Sequence, residues 1–402
     1  MRIALLSYEY PAETGFGGIG TYTWYHARAL VKLGHEVHVV AGSVDRSDLR
    51  PEHHDGVSVW RVNGGIAPYG FEVLKKARCY WSAYRAQNAL NMFKALKALQ
   101  KTANFDLVEM PECGAEGLLV ALRHAAPSVV KLHSPSRLIM DFYPVTSLDR
   151  RICSALENVA VTHCDAVVSC SQFLADEMSP LIGDKRPIRV IPNGIDVELF
   201  DASTQIDVRE KFDLPPDRPI IFFAGRMEKR KGIHLCEEIA SRILTRYPVA
   251  FVFAGDDLFG IMKEQILPRL EQQDLRGSVH FLGRLGLSDV RSCLRQTDIF
   301  LIPSLWENCP YSCLEAMAAS RAIVSSDAGG LPEVIRHQSN GLLARSGDPA
   351  SYADAIARLV EDADLRERLG NEARRTIESS FRDTEIARRT AELYSTVADV
   401  GA

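Results

Sequence analysis

Two glutamates, Glu307 and Glu315, stand in the stretch Trp306-Glu307-Asn308-Cys309-Pro310-Tyr311-Ser312-Cys313-Leu314-Glu315-Ala316-Met317-Ala318. A carboxylate accepts paired hydrogen bonds, so it suits the vicinal hydroxyls of a sugar or a ribose. Pro is favoured as the first residue of a helix, which puts Glu307 before a helix at Pro310 and Glu315 about one turn inside it. From about Tyr311 onward the first backbone N–H groups have no partner within the helix and can hold an anion or a hydroxyl. Glu315 could instead be an ordinary surface charge. Its neighbours Leu314, Ala316, Met317, Ala318 and Ala319 are apolar, and an unpaired buried carboxylate is costly.

A second cluster, Gly225-Arg226-Met227-Glu228-Lys229-Arg230-Lys231-Gly232, follows an apolar run directly. Cations crowded into a strand-to-helix loop share it with the positive end of the next helix, an arrangement suited to a diphosphate. No Gly-Lys-Ser/Thr follows, so the loop is not a P-loop. Arg226 and Lys231 are the expected phosphate ligands; the competing reading is a solvated basic loop. Near the start, Gly15-Phe16-Gly17-Gly18-Ile19-Gly20 satisfies G-x-G-x-x-G literally. The glycines begin about seven residues after the strand, and the second strand ends Val39-Val40-Ala41-Gly42 without an acid for a ribose. This argues against a nicotinamide dinucleotide. What remains is a bare-backbone loop at a helix N-terminus, with Gly17 and Gly18 as phosphate contacts. His133 ends the strand Val129–His133, where a lone histidine is more often structural than catalytic. Glu109 and Glu112 flank Pro111 and are read as holding acceptor hydroxyls or as plain loop carboxylates.

Parallel sheets must position these residues. Short apolar runs alternate with helical stretches along the whole chain, the pattern of strands joined by crossover helices. The expected strands of the first half are Ile3–Ser7, Glu36–Val40, Val57–Val62, Leu107–Met110, Val129–His133, Ala166–Ser169 and Ile188–Ile191. Those of the second half are Ile220–Ala224, Ala250–Ala254, Val279–Leu282, Ile299–Ile302 and Ala322–Ser325. The predicted fold class is therefore α/β, two Rossmann-like doubly wound sheets facing each other across a cleft. Residues 1–192 form the acceptor-side domain, 193–218 a linker rich in Pro and Asp, and 219–380 the donor domain, with a helix at 381–402 packing back on the first. A chain of 402 residues exceeds one ordinary core. Its net charge of −5 gives no reason to expect nucleic acid. Nine cysteines without a pairing or metal spacing read as reduced thiols, which points to a cytoplasmic protein. There is no run of about 18 apolar residues to span a membrane.

Taken in order, these segments resemble the large retaining glycosyltransferase family 4, of the GT-B fold. The resemblance rests on Gly17-Gly18-Ile19-Gly20, Pro192-Asn193-Gly194-Ile195-Asp196, Gly225-Arg226 with Lys231-Gly232, the E-x7-E pair Glu307/Glu315, and Asp327-Ala328-Gly329-Gly330-Leu331-Pro332-Glu333. It implies that Arg226 and Lys231 bind the diphosphate of a nucleotide-sugar donor, that Glu307 binds its sugar and that Glu315 binds its ribose. His133 would touch the donor sugar near the reacting carbon. Asn308, Cys309 and Tyr311 would line the sugar site, although Pro310 stands where many members offer a backbone N–H, which leaves the sugar open. The implied reaction is hexosyl transfer from an NDP-sugar to an acceptor hydroxyl, giving an α-glycoside and NDP. His133, Glu307, Arg226 and Lys231 would carry it, without metal or other cofactor. A sugar-nucleotide epimerase and an inactive nucleotide-sugar-binding protein are the alternatives. UDP, GDP and ADP stay open, as do the acceptor, whether sugar, lipid-linked or small molecule, and the oligomeric state.

Two further segments are readable. Asp362-Ala363-Asp364 looks like a D-x-D metal motif but sits between two helices, as a helix cap would. Residues 71–101 carry seven cations against Glu72, interleaved with Tyr80, Trp81, Tyr84 and Phe93. Such a helix either rests on the inner face of a membrane or packs by its aromatics with its cations in water.

Overall fold

A computed structural model describes residues 1–15, 17–43, 50–63, 78–183, 186–202 and 206–401. The chain divides into two compact units, one of Met1–Gly194 with Asp383–Ala402, the other of Ile195–Arg382. In the first unit the strands are β1 (Arg2–Ser7), β2 (Glu36–Ser43), β3 (Pro51–His54), β4 (Val57–Asn63), β5 (Leu107–Pro111), β6 (Ser128–Leu132), β7 (Ala166–Ser169) and β8 (Arg189–Val190). They lie in the order β3-β4-β2-β1-β5-β6-β7-β8. All pairings are parallel except β3 with β4. The apolar runs of β1, β5 and β6 are buried on both faces, as a sheet covered by helices on each side requires.

The second unit has β9 (Ile220–Ala224), β10 (Ala250–Ala254), β11 (Val279–Phe281), β12 (Ile299–Ile302), β13 (Ala322–Ser326) and β14 (Leu342–Ala344). Their order is β11-β10-β9-β12-β13-β14, all parallel. In each sheet the order of the parallel strands reverses near the centre, between β1 and β5 and between β9 and β12. Ligands of doubly wound sheets bind at the carboxyl ends of the strands flanking such a reversal. The glycine loop follows β1, Glu109 and Glu112 sit at the end of β5, Arg226 follows β9, and Glu307 follows β12. Topology alone thus gathers most of the sequence-predicted site residues into one group per unit.

Several boundaries differ from expectation. Strands β3 and β14 carry no readable signal: β3 is Pro-Glu-His-His on an edge, and β14 is three residues long. Residues 195–218 are not a separate linker but belong to the second unit. They form the short helices Val197–Asp201 and Val208–Lys211, each capped by an aspartate, Asp196 or Asp207. The C-terminal helix, Asp383–Gly401, lies in the first unit. Its Ile386, Ala387, Tyr394 and Val397 join the core made by Ile3, Leu5, Val37, Val39 and Leu107. Gly194 lies where the outgoing chain and this helix approach, and a Cβ there would be 2.7 Å from the Cα of Asp383. The next residue, Ile195, donates its N–H to Phe381 O at 2.9 Å. The Pro-Asn-Gly-Ile-Asp motif is therefore a close crossing of two backbone segments.

Of the basic stretch 71–101, residues 71–77 lie outside the described residues. The helix Tyr80–Ala103 follows. Its Arg85 is not on a basic surface: it is buried and ion-paired with Glu157. Asp362 is a cap, its carboxylate accepting Leu365 N–H at 2.8 Å at the start of the helix Ala363–Ser380. Eight of the nine cysteines are buried, and Cys113 is half-buried.

Candidate active site

In the second unit, the loops after β9 and β12 lock together. Leu305 N–H donates to Arg230 O at 2.8 Å, while Met227 N–H ties the first of these loops to the one after β10 by donating to Asp256 O at 2.8 Å. Gly232 has φ +72°, and a Cβ on it would lie 1.8 Å from Pro303 O. Gly329 has φ +61°, and a Cβ there would lie 2.0 Å from Glu307 O. Both positions therefore need glycine, for conformation and for space. The glycines of Lys231-Gly232 and Gly329-Gly330 hold the backbone that carries the charged groups.

Those groups form one ion-paired set. Lys231 Nζ donates to Glu307 Oε1, and Ser304 Oγ donates to the same oxygen at 3.2 Å. Arg230 lies 3.6 Å from Glu307 Oε2 and 2.8 Å from Glu228 Oε1. Arg226 reaches Glu228 at 3.5 Å while its own side chain remains half exposed. Burial alone would raise the Glu307 carboxyl, but the charges of Lys231 and Arg230 outweigh it and hold the pKa below the usual carboxylate range. Glu307 is thus a fixed, ionised acceptor. Arg226 is the cation whose side chain is most open to solvent.

Glu315 differs in kind. It lies in the helix Tyr311–Ala318, is 8% exposed, and its carboxylate has no hydrogen-bond partner among the described residues. Burial, opposed only by the charge of Arg291, pushes its pKa up to about 7. Pro310 is the residue before this helix rather than its first member, and no side chain caps the helix start. The side chains of Asn308, Cys309 and Tyr311 are buried.

The first unit carries the other group. The helix Gly18–Lys32 begins at the glycine loop with Gly17 before it; it has no capping side chain and no acid in its first turn. Phe16 lies outside the described residues. A Cβ on Gly18 would meet nothing within 4 Å, and its φ is not positive. The fold itself places no demand for glycine there. Gly17 is different, since its Cβ would fall 1.7 Å from the Glu9 carboxylate.

His133 follows β6 and is buried. Its ring meets that of Tyr22 at 4.8 Å. Burial and then the neighbouring Lys131 charge hold its pKa well below the usual histidine value, so the imidazole is neutral. Glu112 accepts the backbone N–H groups of His133 and Ser134, at 2.8 and 2.5 Å, and is fully buried. Glu109 accepts the hydroxyls of Tyr22, at 2.9 Å, and of Tyr394, which also contacts His26 at 3.0 Å. The acceptor-hydroxyl expectation for these two glutamates must therefore be met, if at all, by carboxylates that already carry internal hydrogen bonds. Both carboxylates are engaged inside the fold, Glu112 fixing the His133 turn and Glu109 tying the C-terminal helix to the sheet. Glu228, Arg230, Ser304, Tyr22, His26 and Tyr394 were not singled out in the sequence. Only Glu228, an acid inside a basic run, carried a readable hint.

With the geometry in place, comparison with known proteins decides the family. Residues 16–199 match the family model described as Glycosyltransferase Family 4. Residues 204–376 match the model described as Glycosyl transferases group 1. The chain is of the glycosyltransferase family 4 type. An uncharacterized glycosyltransferase of Methanocaldococcus jannaschii is 28% identical over 401 residues, covering 98% of each chain. The alpha-maltose-1-phosphate synthase of Mycolicibacterium smegmatis is 25% identical over 412 residues, covering 99% of this chain and all of that one. Among solved structures, sucrose-phosphate synthase from Thermosynechococcus elongatus matches with a TM-score of 0.81, 21% identity and 99% of each chain. Anabaena HepE in complex with UDP and glucose matches at 0.72 with 20% identity, covering 98% of this chain and all of that one. These likenesses establish the GT-B fold for this glycosyltransferase-type chain. No helix among its described residues is long and apolar enough to cross a membrane.

Proposed function

We propose that the chain is a retaining hexosyltransferase that moves a sugar from an NDP-sugar to an acceptor hydroxyl, giving an α-glycoside and NDP. The observation that carries this reading is the ion-paired set of half-buried Lys231 with buried Arg230 and Glu307 at the reversal of the second sheet, with Arg226 half exposed beside it. Arg226 and Lys231 stabilise the diphosphate as negative charge develops on it, the task a metal ion performs in other transferases. The ionised Glu307 accepts hydroxyls of the donor sugar, and the unpartnered Glu315 accepts those of the ribose. Gly17 and Gly18 offer backbone N–H groups at an uncapped helix start, an arrangement suited to phosphate oxygens.

The proposed step is the same-face displacement that the resemblance to retaining transferases implies. The anomeric C–O bond to the diphosphate breaks, the acceptor oxygen bonds to that carbon, and the acceptor proton passes to a departing phosphate oxygen. His133, neutral and fixed by Glu112, offers the sugar a hydrogen bond without adding charge near the forming cation. Names among the relatives and neighbours, such as UDP and ADP complexes, make uridine and adenosine diphosphate sugars the first donors to test. Each donor is incubated with simple sugar acceptors and without metal, and the product's anomeric configuration is read by NMR. An inverted product refutes retention. Conversion of the donor with no acceptor present shows an epimerase instead.

A further inference from the structure

In the first unit, two helix starts converge at the surface. Thr146 caps the helix Ser147–His163 and also donates its hydroxyl to Arg78 O at 3.3 Å. Asp149, in the first turn of that helix, is buried and accepts the N–H groups of Trp81 and Ser82 at 2.9 and 2.8 Å. This pins the start of the helix Tyr80–Ala103 against the start of the helix Ser147–His163. Three large apolar side chains at the junction stay in solvent: Tyr80 is 39% exposed, Trp81 49% and Leu148 54%. One turn beyond Leu148 on the same helix, Arg151 lines a groove of about 390 Å³ together with Arg137, Asp141, Arg150, Ser154, Ala155 and Asn158. Arg150 pairs with Asp141, Arg78 is exposed next to Tyr80, and the Asp149 carboxylate is turned inward to its two N–H donors.

From this juxtaposition we infer that the surface of Tyr80, Trp81, Leu148, Arg137 and Arg151 docks on an anionic phospholipid bilayer. The argument is charge complementarity joined to apolar shape. The chain as a whole is acidic at −5, yet arginines dominate this patch and Arg137 and Arg151 have no carboxylate pair among the described residues. Aromatic side chains ringed by arginine match the boundary between acyl chains and headgroups. Guanidinium groups in a groove that also offers Ser154 and Asn158 match a lipid phosphate. The contact is peripheral, and it moves the membrane-facing surface from the length of the basic helix to the junction of two helix starts. It stands independently of the transferase reading, because the test reads vesicle binding and not activity.

The test uses the full chain and flotation with phosphatidylcholine vesicles, with and without phosphatidylglycerol. Expected is binding only to the anionic vesicles. Replacing Arg137 and Arg151 together by Ala lowers it by about 30-fold, from the loss of two basic contacts. Trp81→Ala with Leu148→Ala also lowers it, whereas Leu258→Ala with Phe259→Ala, the exposed apolar pair of the second unit, leaves it unchanged. Trp81 fluorescence shifts to the blue on anionic vesicles, and Trp81→Phe removes the shift. Melting temperatures equal to that of the unaltered chain show that each variant is folded. Absence of vesicle binding, equal binding to neutral vesicles, or indifference to the patch variants overturns the proposal. Displacement from vesicles by millimolar inorganic phosphate also overturns it, by showing a site for a soluble phosphorylated molecule.

Discussion

Arg226 and Lys231 share an expected role but not an environment, and variants should separate them. Arg226→Ala removes a half-exposed guanidinium and should weaken NDP binding by about 10- to 100-fold relative to nucleoside, from a lost charged hydrogen bond, without changing the melting temperature. Lys231→Ala should do the same to NDP binding but also destabilise the unit, because Glu307 loses a buried partner. Calorimetry with nucleoside and NDP, paired with melting curves, checks both; equal losses for the two ligands would remove the phosphate role. Glu315 gives a pH signature. Burial raises its pKa to about 7 in the fold, so only above that pH is it fully the ionised acceptor that ribose hydroxyls want. NDP affinity should fall as the pH drops below about 7, and dideoxyribose analogues should lose that dependence. The sign for stability is opposite. An acid whose folded pKa is raised destabilises the fold increasingly as pH rises from its unfolded value to the folded one. Glu315→Gln should therefore stabilise the unliganded protein above pH 7 by up to about 3 kcal/mol and change little at pH 4. These residues were legible in the sequence because charge in an apolar or loop setting is conspicuous. Tyr22, His26 and Tyr394 were not, since nothing in their local sequence separates an aromatic that anchors a carboxylate from one that fills a core.

At the level of elements, the strands buried on both faces were legible because a continuous apolar run between turn residues has few other uses. Ala166–Ser169, Ile220–Ala224, Ala250–Ala254 and Ile299–Ile302 match to the residue. The polar edge strand β3 and the short β14 were invisible, for their pairing is decided by neighbours rather than by their own pattern. The two glycines at the first helix show what sequence identity alone conceals. A Cβ on Gly17 would displace the end of the Glu9 side chain, whereas Gly18 faces open space. Gly18→Val should therefore leave the melting temperature close to that of the unaltered chain while suppressing transfer, because its side chain would keep a diphosphate from the loop backbone. A kinetic assay beside a melting curve decides this. Transfer at the unaltered rate would leave that glycine without a catalytic reason.

On the scale of the whole molecule, the first unit depends on residues at both ends of the chain. Ending the chain at Arg382 removes Tyr394 from Glu109 and the apolar face of Ile386, Ala387 and Val397 from the core around Ile3 and Leu5. The raised Glu109 carboxyl would then lie buried with one partner fewer. Such a truncation should lower the melting temperature of the first unit sharply while the second, complete from Ile195 to Arg382, still binds NDP. Two melting transitions by calorimetry, with only the upper one raised by NDP, is the expected record. Loss of NDP binding on truncation would refute the independence of the second unit. The same crossing at Gly194 has a consequence for synthesis on the ribosome. The second unit can complete itself in the nascent chain, but the first must wait for residues 383–402 to leave the exit tunnel. Until then its sheet carries an uncovered apolar face, which marks it as the part of the newborn protein most in need of a chaperone.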